Sequence, residues 1–358
     1  MNDLSRCLVY GAYGYTGELM ARFAVEKGLR PILAGRSRER VEAMGKRFGL
    51  PTRVFGLDDP SALAAGLEGV GVVIHAAGPF SRTSRPMVDA CLLAKTHYLD
   101  ITGEIEVFEA CAARDAEAKR SGVMLMPGTG FDVVPSDCLA LHLKERLPEA
   151  THLRLAFTAV GGGPSRGTAT TAIEGLGKPN LIRVDGVLTP VRMGQKSARV
   201  DFGKGFAPAL SIPWGDVSTA WTSTRIPNIE VYIGVPAPAV WGAKAMGLFG
   251  GAVGGGFIAK TIQRRIDRGP AGPTDAQRAS AYNVLVGEAK NGVRAVRARQ
   301  RCPEGYTLTA ESALAIAGRV LSGEVSPGYR TPAMQYGADF ILSFAGAERT
   351  ELSTSPFR

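Results

Sequence analysis

Paired cysteines are missing from this chain. Its five cysteines, Cys7, Cys91, Cys111, Cys138 and Cys302, are widely spaced, with no C-x-x-C pair. The odd count, in a chain read as having no signal peptide, argues against a disulfide framework, and apolar neighbours make most of them small core hydrophobes. Histidine is scarce as well: there are four, without paired spacing, so no metal site is expected. The net charge of +9 is scattered, with no lysine-rich tail and no aromatics interleaved in a basic stripe, which excludes a nucleic-acid module. No apolar run reaches the roughly 20 residues that span a bilayer. The start, Met1-Asn2-Asp3-Leu4, has neither the basic region nor the apolar core of a targeting segment. These absences lead to the expectation of a cytoplasmic protein in a reducing compartment.

What is present begins almost at once. Arg6-Cys7-Leu8-Val9-Tyr10 reads as a strand, Gly11-Ala12-Tyr13-Gly14-Tyr15-Thr16-Gly17 as a glycine-rich turn, and Glu18 to Phe23 as a helix. Glycines at this spacing allow a tight turn, close approach to a pyrophosphate and close helix–strand packing, while the helix N-terminus offers free N–H groups to phosphate. A second short strand, Ile32-Leu33-Ala34-Gly35, follows a helix-length segment. An NAD site would carry Asp or Glu at its end; here stands Arg36-Ser37-Arg38, which suits a 2′-phosphate and points to NADP(H). Asp58, after a third strand, is placed to read adenine.

Strand and helix then alternate. Val70 to Ala77 is an apolar run fit for a central parallel strand, and it ends in Gly78-Pro79-Phe80 at the edge where open sheets bind ligands. His75, inside that run, reads as a satisfied core residue. Further strands at Tyr98–Ile101 and Val123–Met126, with a helix from Ile105 to Arg120 between them, complete six strands in the expected order 3-2-1-4-5-6. Beyond Ala150 apolar and polar residues alternate, as in an antiparallel sheet with one wet face. The expected fold is α/β: a Rossmann-type doubly wound parallel sheet over 1–134, then an α+β domain built on a mostly antiparallel sheet over 135–326. The remainder, 327–358, is expected to return to the first domain.

The stretch 235–268 is rich in Gly, Ala and Pro and nearly free of charge until Lys260, apart from Lys244. Phe257, Ile258, Ile262 and Ile266 share a helical face opposite Lys260, Arg264 and Arg265. A buried or dimer-forming helical hairpin is the favoured reading and a peripheral membrane contact the other. A homodimer is the expected assembly.

In the order and spacing of its motifs the chain resembles the saccharopine dehydrogenase-like oxidoreductases, in particular the branch with the trans-acting enoyl reductases. The likeness runs through Gly11–Gly17, Ala34–Ser37, Ala77–Phe80, Tyr98–Glu104 and Gly128–Asp137. It continues through Gly272-Pro273, Gly305-Tyr306 and Thr331-Pro332-Ala333. At Ser165-Arg166-Gly167-Thr168 the family more often has a second glycine than an arginine. The loop Met126–Phe131 lacks the glutamate that saccharopine-forming enzymes carry, so an amino-dicarboxylate substrate loses its support. The resemblance implies an NADP(H) site of Gly11, Tyr13, Gly14, Tyr15, Thr16, Gly17, Arg36, Ser37, Asp58, Ala77, Gly78, Pro79, Phe80, Thr102 and Gly103. For the chemistry, Tyr98, Glu104, Asp132 and Ser136 are the candidates; each has a structural reading too, as core residue or helix cap. The expected activity is NADP(H)-dependent reduction of an enoyl or carbonyl group on a small-molecule or carrier-bound, lipid-like acyl substrate. An imine reductase acting on an amino-acid or polyamine adduct, and an idle NADP(H)-binding sensor or scaffold, stay open beside it.

Overall fold

The computed structural model describes residues 5–174, 179–244 and 269–358. The chain divides into two compact units, Met1–Val134 with Gly305–Tyr336, and Pro135–Glu304 with Gly337–Arg358.

The first unit is built on a seven-stranded, all-parallel sheet. Its strands are β1 (Cys7–Tyr10), β2 (Ile32–Gly35), β3 (Thr52–Val54), β4 (Val72–His75), β5 (His97–Asp100) and β6 (Met124–Met126). They lie in the order 3-2-1-4-5-6, and Gly328–Tyr329 adds a seventh strand beside β6. The central strands β1 and β4 are wholly buried, which fits their continuous apolar sequence. Helices α1 (Tyr15–Glu26), α2 (Arg38–Phe48), α3 (Pro60–Gly66), α4 (Phe80–Ala94), α5 (Ile105–Ala113) and α6 (Asp115–Ser121) connect them. The stretch expected as one helix from Ile105 to Arg120 is thus two, broken at Arg114.

Gly305–Leu321 is a helix of the first unit, although the sequence places 135–326 together in the second. It packs on α1, β4 and β5. Lys27 pairs with Glu311 at 3.6 Å, and Ser312 Oγ donates to the Thr129 carbonyl at 2.6 Å. The far end of the chain moves the other way. Residues 337–358 belong to the second unit, not the first, because Glu348–Glu351 pairs with Ala295–Pro303 and Arg349 Nε donates to Gln300 Oε1 at 3.1 Å.

The second unit holds a nine-stranded sheet in which Asn228–Gly234 and His152–Val160 are parallel and every other pairing among the described residues is antiparallel. One row across four strands alternates in charge, Glu230, Arg154, Glu288 and Arg297, and this opposes register slip. Of the apolar stretch 235–268, residues 245–268 lie outside the described residues. Trp241, just before them, is 75% exposed, with the Lys244 ammonium over its ring. Among the described residues no helix is long and apolar enough to cross a membrane.

Gly305 lies against Phe131, so a short Gly/Ser linker can join Val134 to Gly305. A fragment ending at Val134 is expected to melt several degrees below one that also carries residues 305–336 through such a linker. Equal midpoints in a thermal scan would remove the helix from the first unit.

Candidate cofactor and active site

The turn between β1 and α1 is shaped by close approach. Gly11 sits at φ +88, and a Cβ there would meet the Ala76 carbonyl and the Ala77 methyl at 2.9 Å. A Cβ on Gly17 would run into Gly11 O and come within 2.8 Å of Ala12 Cα. The turn therefore lies directly against the β4 loop, with α1 tight behind it. The helix N-cap, Gly14, has no side chain to cap with, so no side chain of its own competes with an anion at the start of α1.

Cations gather at the end of β2. Arg36 is exposed, and Ser37 is the N-cap of α2 with no side-chain capping bond, which leaves a second open helix terminus. Arg38 is engaged by Glu42 at 3.0 Å. Arg40 is a residue the sequence reading missed. Its guanidinium lies 4.3 Å from the centre of the Tyr13 ring and donates to the Tyr13 carbonyl at 3.2 Å, and the same ring lies against Gly35. Burial, with Tyr13 and Asp58 adding to it and Arg36 opposing, pushes the Tyr10 phenol up to about 12. The helices beyond are closed: Asp59 caps α3 through the N–H groups of Ser61 and Ala62.

On the other side of β1, Glu104 binds the N–H groups of Phe80 and Ser81 at 2.9 and 2.7 Å, capping α4 with both oxygens. Its carboxylate therefore holds the Ala77–Phe80 loop in place. His75 is fully buried against Tyr10, Phe80 and Tyr98, its Nε2 at 3.0 Å from the Thr83 hydroxyl, and burial brings its pKa down to about 3. It is a neutral core histidine.

Tyr98 is also fully buried, and its hydroxyl donates to Asp100 Oδ2 at 2.7 Å. Asp100 Oδ1 accepts from the N–H groups of Thr102 and Gly128, and its carbonyl accepts from Thr129 N and Oγ1. Burial pushes the Asp100 carboxyl up to about 7, although these donors pull it back. Thr102 is buried, with its hydroxyl accepting from Glu104 N at 3.0 Å.

Asp132, from the β6 loop, sits on Gly103, where a Cβ would come within 2.8 Å of Oδ2. Burial pushes its carboxyl up to about 7, while part of the residue stays accessible. Its loop is gripped from the far side by Phe131 N donating to Thr309 Oγ1 at 2.9 Å. Ser136 is buried on the helix Val134–Arg146, on the second unit's side of the division. Of the four chemical candidates, then, Glu104 and Asp132 border the same edge, while Tyr98 supports it from inside.

The arrangement fits a dinucleotide: an uncapped, Cβ-free turn for the pyrophosphate, and Arg36, Ser37 and Arg40 for a phosphorylated ribose. Arg36→Ala is expected to weaken 2′,5′-ADP about tenfold or more and 5′-AMP less than twofold in calorimetric titrations. Equal losses would sink the phosphate assignment. Tyr98→Phe removes a donor from a buried carboxylate and should destabilise by about 1–3 kcal/mol in urea melts.

Comparison with known proteins agrees with this geometry. Residues 7–126 match the saccharopine dehydrogenase NADP-binding domain. A putative trans-acting enoyl reductase of Mycobacterium tuberculosis is 29% identical over 246 residues, covering 61% of this chain and 59% of that protein. A saccharopine dehydrogenase-like oxidoreductase of Bos taurus is 26% identical over 212 residues, 51% of this chain and 49% of that protein. The chain thus spans about half to three-fifths of these relatives' length. Apo saccharopine dehydrogenase (L-Glu forming) of Saccharomyces cerevisiae shares the fold over 99% of this chain and 100% of its own, with a TM-score of 0.64 and 12% identity. Residues 7–126 thus match an NADP-binding domain of the saccharopine dehydrogenase type, and the chain is similar over half its length or more to oxidoreductases that carry it.

Proposed function

We propose that this protein is an NADPH-dependent reductase of an enoyl group on a lipid-like acyl thioester, with Asp132 as its proton donor. The observation that carries the reading is Asp132: a carboxyl near neutrality, partly accessible, seated on Gly103 at the carboxyl edge of β5 and β6. The names of the mycobacterial relatives support the enoyl substrate. So does the Met126–Phe131 loop, which offers no acidic side chain to an amino-acid substrate and is tied by its backbone to Asp100, Thr309 and Ser312.

NADPH, when bound, supplies a hydride. The chain's task is then to hold the cofactor, exclude water and deliver a proton to the α-carbon as charge develops on the acyl oxygen. Gly11, Gly14 and Gly17 with the Tyr15 and Thr16 amides would hold the pyrophosphate, and Arg36, Ser37 and Arg40 would hold the 2′-phosphate. Asp58 would read adenine, and Ala77 to Phe80, steadied by Glu104, would border the second ribose. Asp132 keeps its proton through the acid side of neutrality because burial disfavours the carboxylate.

The test is NADPH consumption with trans-2-enoyl, 3-keto and imine substrates in parallel. Enoyl thioesters should be turned over fastest; activity with imines alone would replace this reading by the imine one. Turnover should fall as pH rises through about 7, because the donor is the protonated form. Asp132→Asn should lower kcat about a hundredfold or more and leave NADPH affinity unchanged. A variant with full activity would take the proton donor elsewhere.

A further inference from the structure

We propose that Tyr306, first-turn residue of the helix Gly305–Leu321, forms a wall of the nicotinamide half of the cofactor site, about 180 residues beyond the matched NADP-binding domain. The inference rests on NADP(H) being held along the β1 turn. Tyr306 meets Tyr15, the first residue of α1, edge to face, with ring centres 5.1 Å apart and planes at 90°. One residue earlier, Gly305 lies against the Phe131 ring of the β6 loop. Three residues later, Thr309 takes the Phe131 N–H and returns a hydrogen bond to the Gly305 carbonyl at 2.8 Å. The start of the helix is therefore fixed between the glycine turn and the loop that carries Asp132.

Strand order decides which half of a dinucleotide this wall faces. Arg36, Arg40 and Asp58 mark the adenosine side, over β2 and β3. The strands β4, β5 and β6 lie on the other side of β1, and the helix packs on β4 and β5. Tyr306 thus borders the half occupied by a flat, uncharged ring once the cofactor is reduced. An aromatic side chain that is itself half-buried suits such a ring, offering apolar contact at a small cost in rotamer entropy. Its edge-to-face partner Tyr15 sets its tilt.

The full-length protein can be tested by titrating NADPH and 2′,5′-ADP, the second probing the adenosine half alone. In Tyr306→Ala, NADPH should bind about tenfold more weakly and the rise in nicotinamide emission seen on binding to the parent protein should be lost. Affinity for 2′,5′-ADP should stay within twofold. Tyr306→Phe should behave as the parent, since the ring is retained. If the alanine variant fails to fold, Tyr306→Leu, which keeps apolar bulk without the ring, is read in the same way. Unchanged NADPH binding and emission would overturn the inference, and so would equal weakening of both ligands, which reports a loosened unit. A parent protein that binds 2′,5′-ADP but not NADPH also overturns it, whereas one that binds neither removes the cofactor reading itself.

Discussion

Asp100 ties together the edge on which everything else is arranged. One side chain and one carbonyl accept from Tyr98, Thr102, Gly128 and Thr129, so the loops after β5 and β6 are fastened to a single buried point. A carboxyl placed so deep is tolerated only because its donors are complete. The consequence is rigidity where a reaction needs it: Gly103 and Asp132 meet across two loops that cannot drift apart independently.

The helix termini around that edge divide into two kinds. Those of α3 and α4 are closed by Asp59 and Glu104, carboxylates that occupy the amides an anion would want. Those of α1 and α2 have N-cap residues that make no side-chain capping bond, and they follow the neighbouring strands β1 and β2. Open termini beside Arg36 and Arg40 favour the most highly charged part of the cofactor, and closed ones leave the other half to neutral chemistry. Charge is thus distributed along the site in the way a reduced, phosphorylated dinucleotide is charged.

The cofactor half of this site was legible because it is local: a glycine turn, a strand and Arg36 fall within about thirty residues. The rest depends on partners far apart in sequence. Nothing near Glu104 announces that it caps a helix beginning 24 residues earlier, and the Tyr13–Arg40 stack spans a whole strand–helix unit. The unit to which the helix Gly305–Leu321 belongs is hidden in the sequence for a related reason. It is buried on most of its circumference, from Leu308 and Thr309 to Ala317 and Val320, so it lacks the one-sided stripe that tells which core a helix serves. Small residues such as Ala310, Ala313 and Gly318 record close packing without naming the partner.

The chain passes between its two units at residues 134, 304 and 336, and this bears on how it is made. The parallel sheet receives its last strand, and α1 its covering helix, only after some 170 intervening residues (304 minus 134) have been synthesised. At about 5–20 residues per second that interval is on the order of ten to thirty seconds. During it the nascent first unit has an unpaired β6 edge and an uncovered α1, the kind of surface that chaperones hold. A ribosome translating this message therefore carries an unfinished nucleotide-binding unit until the helix Gly305–Leu321 and the strand Gly328–Tyr329 have emerged.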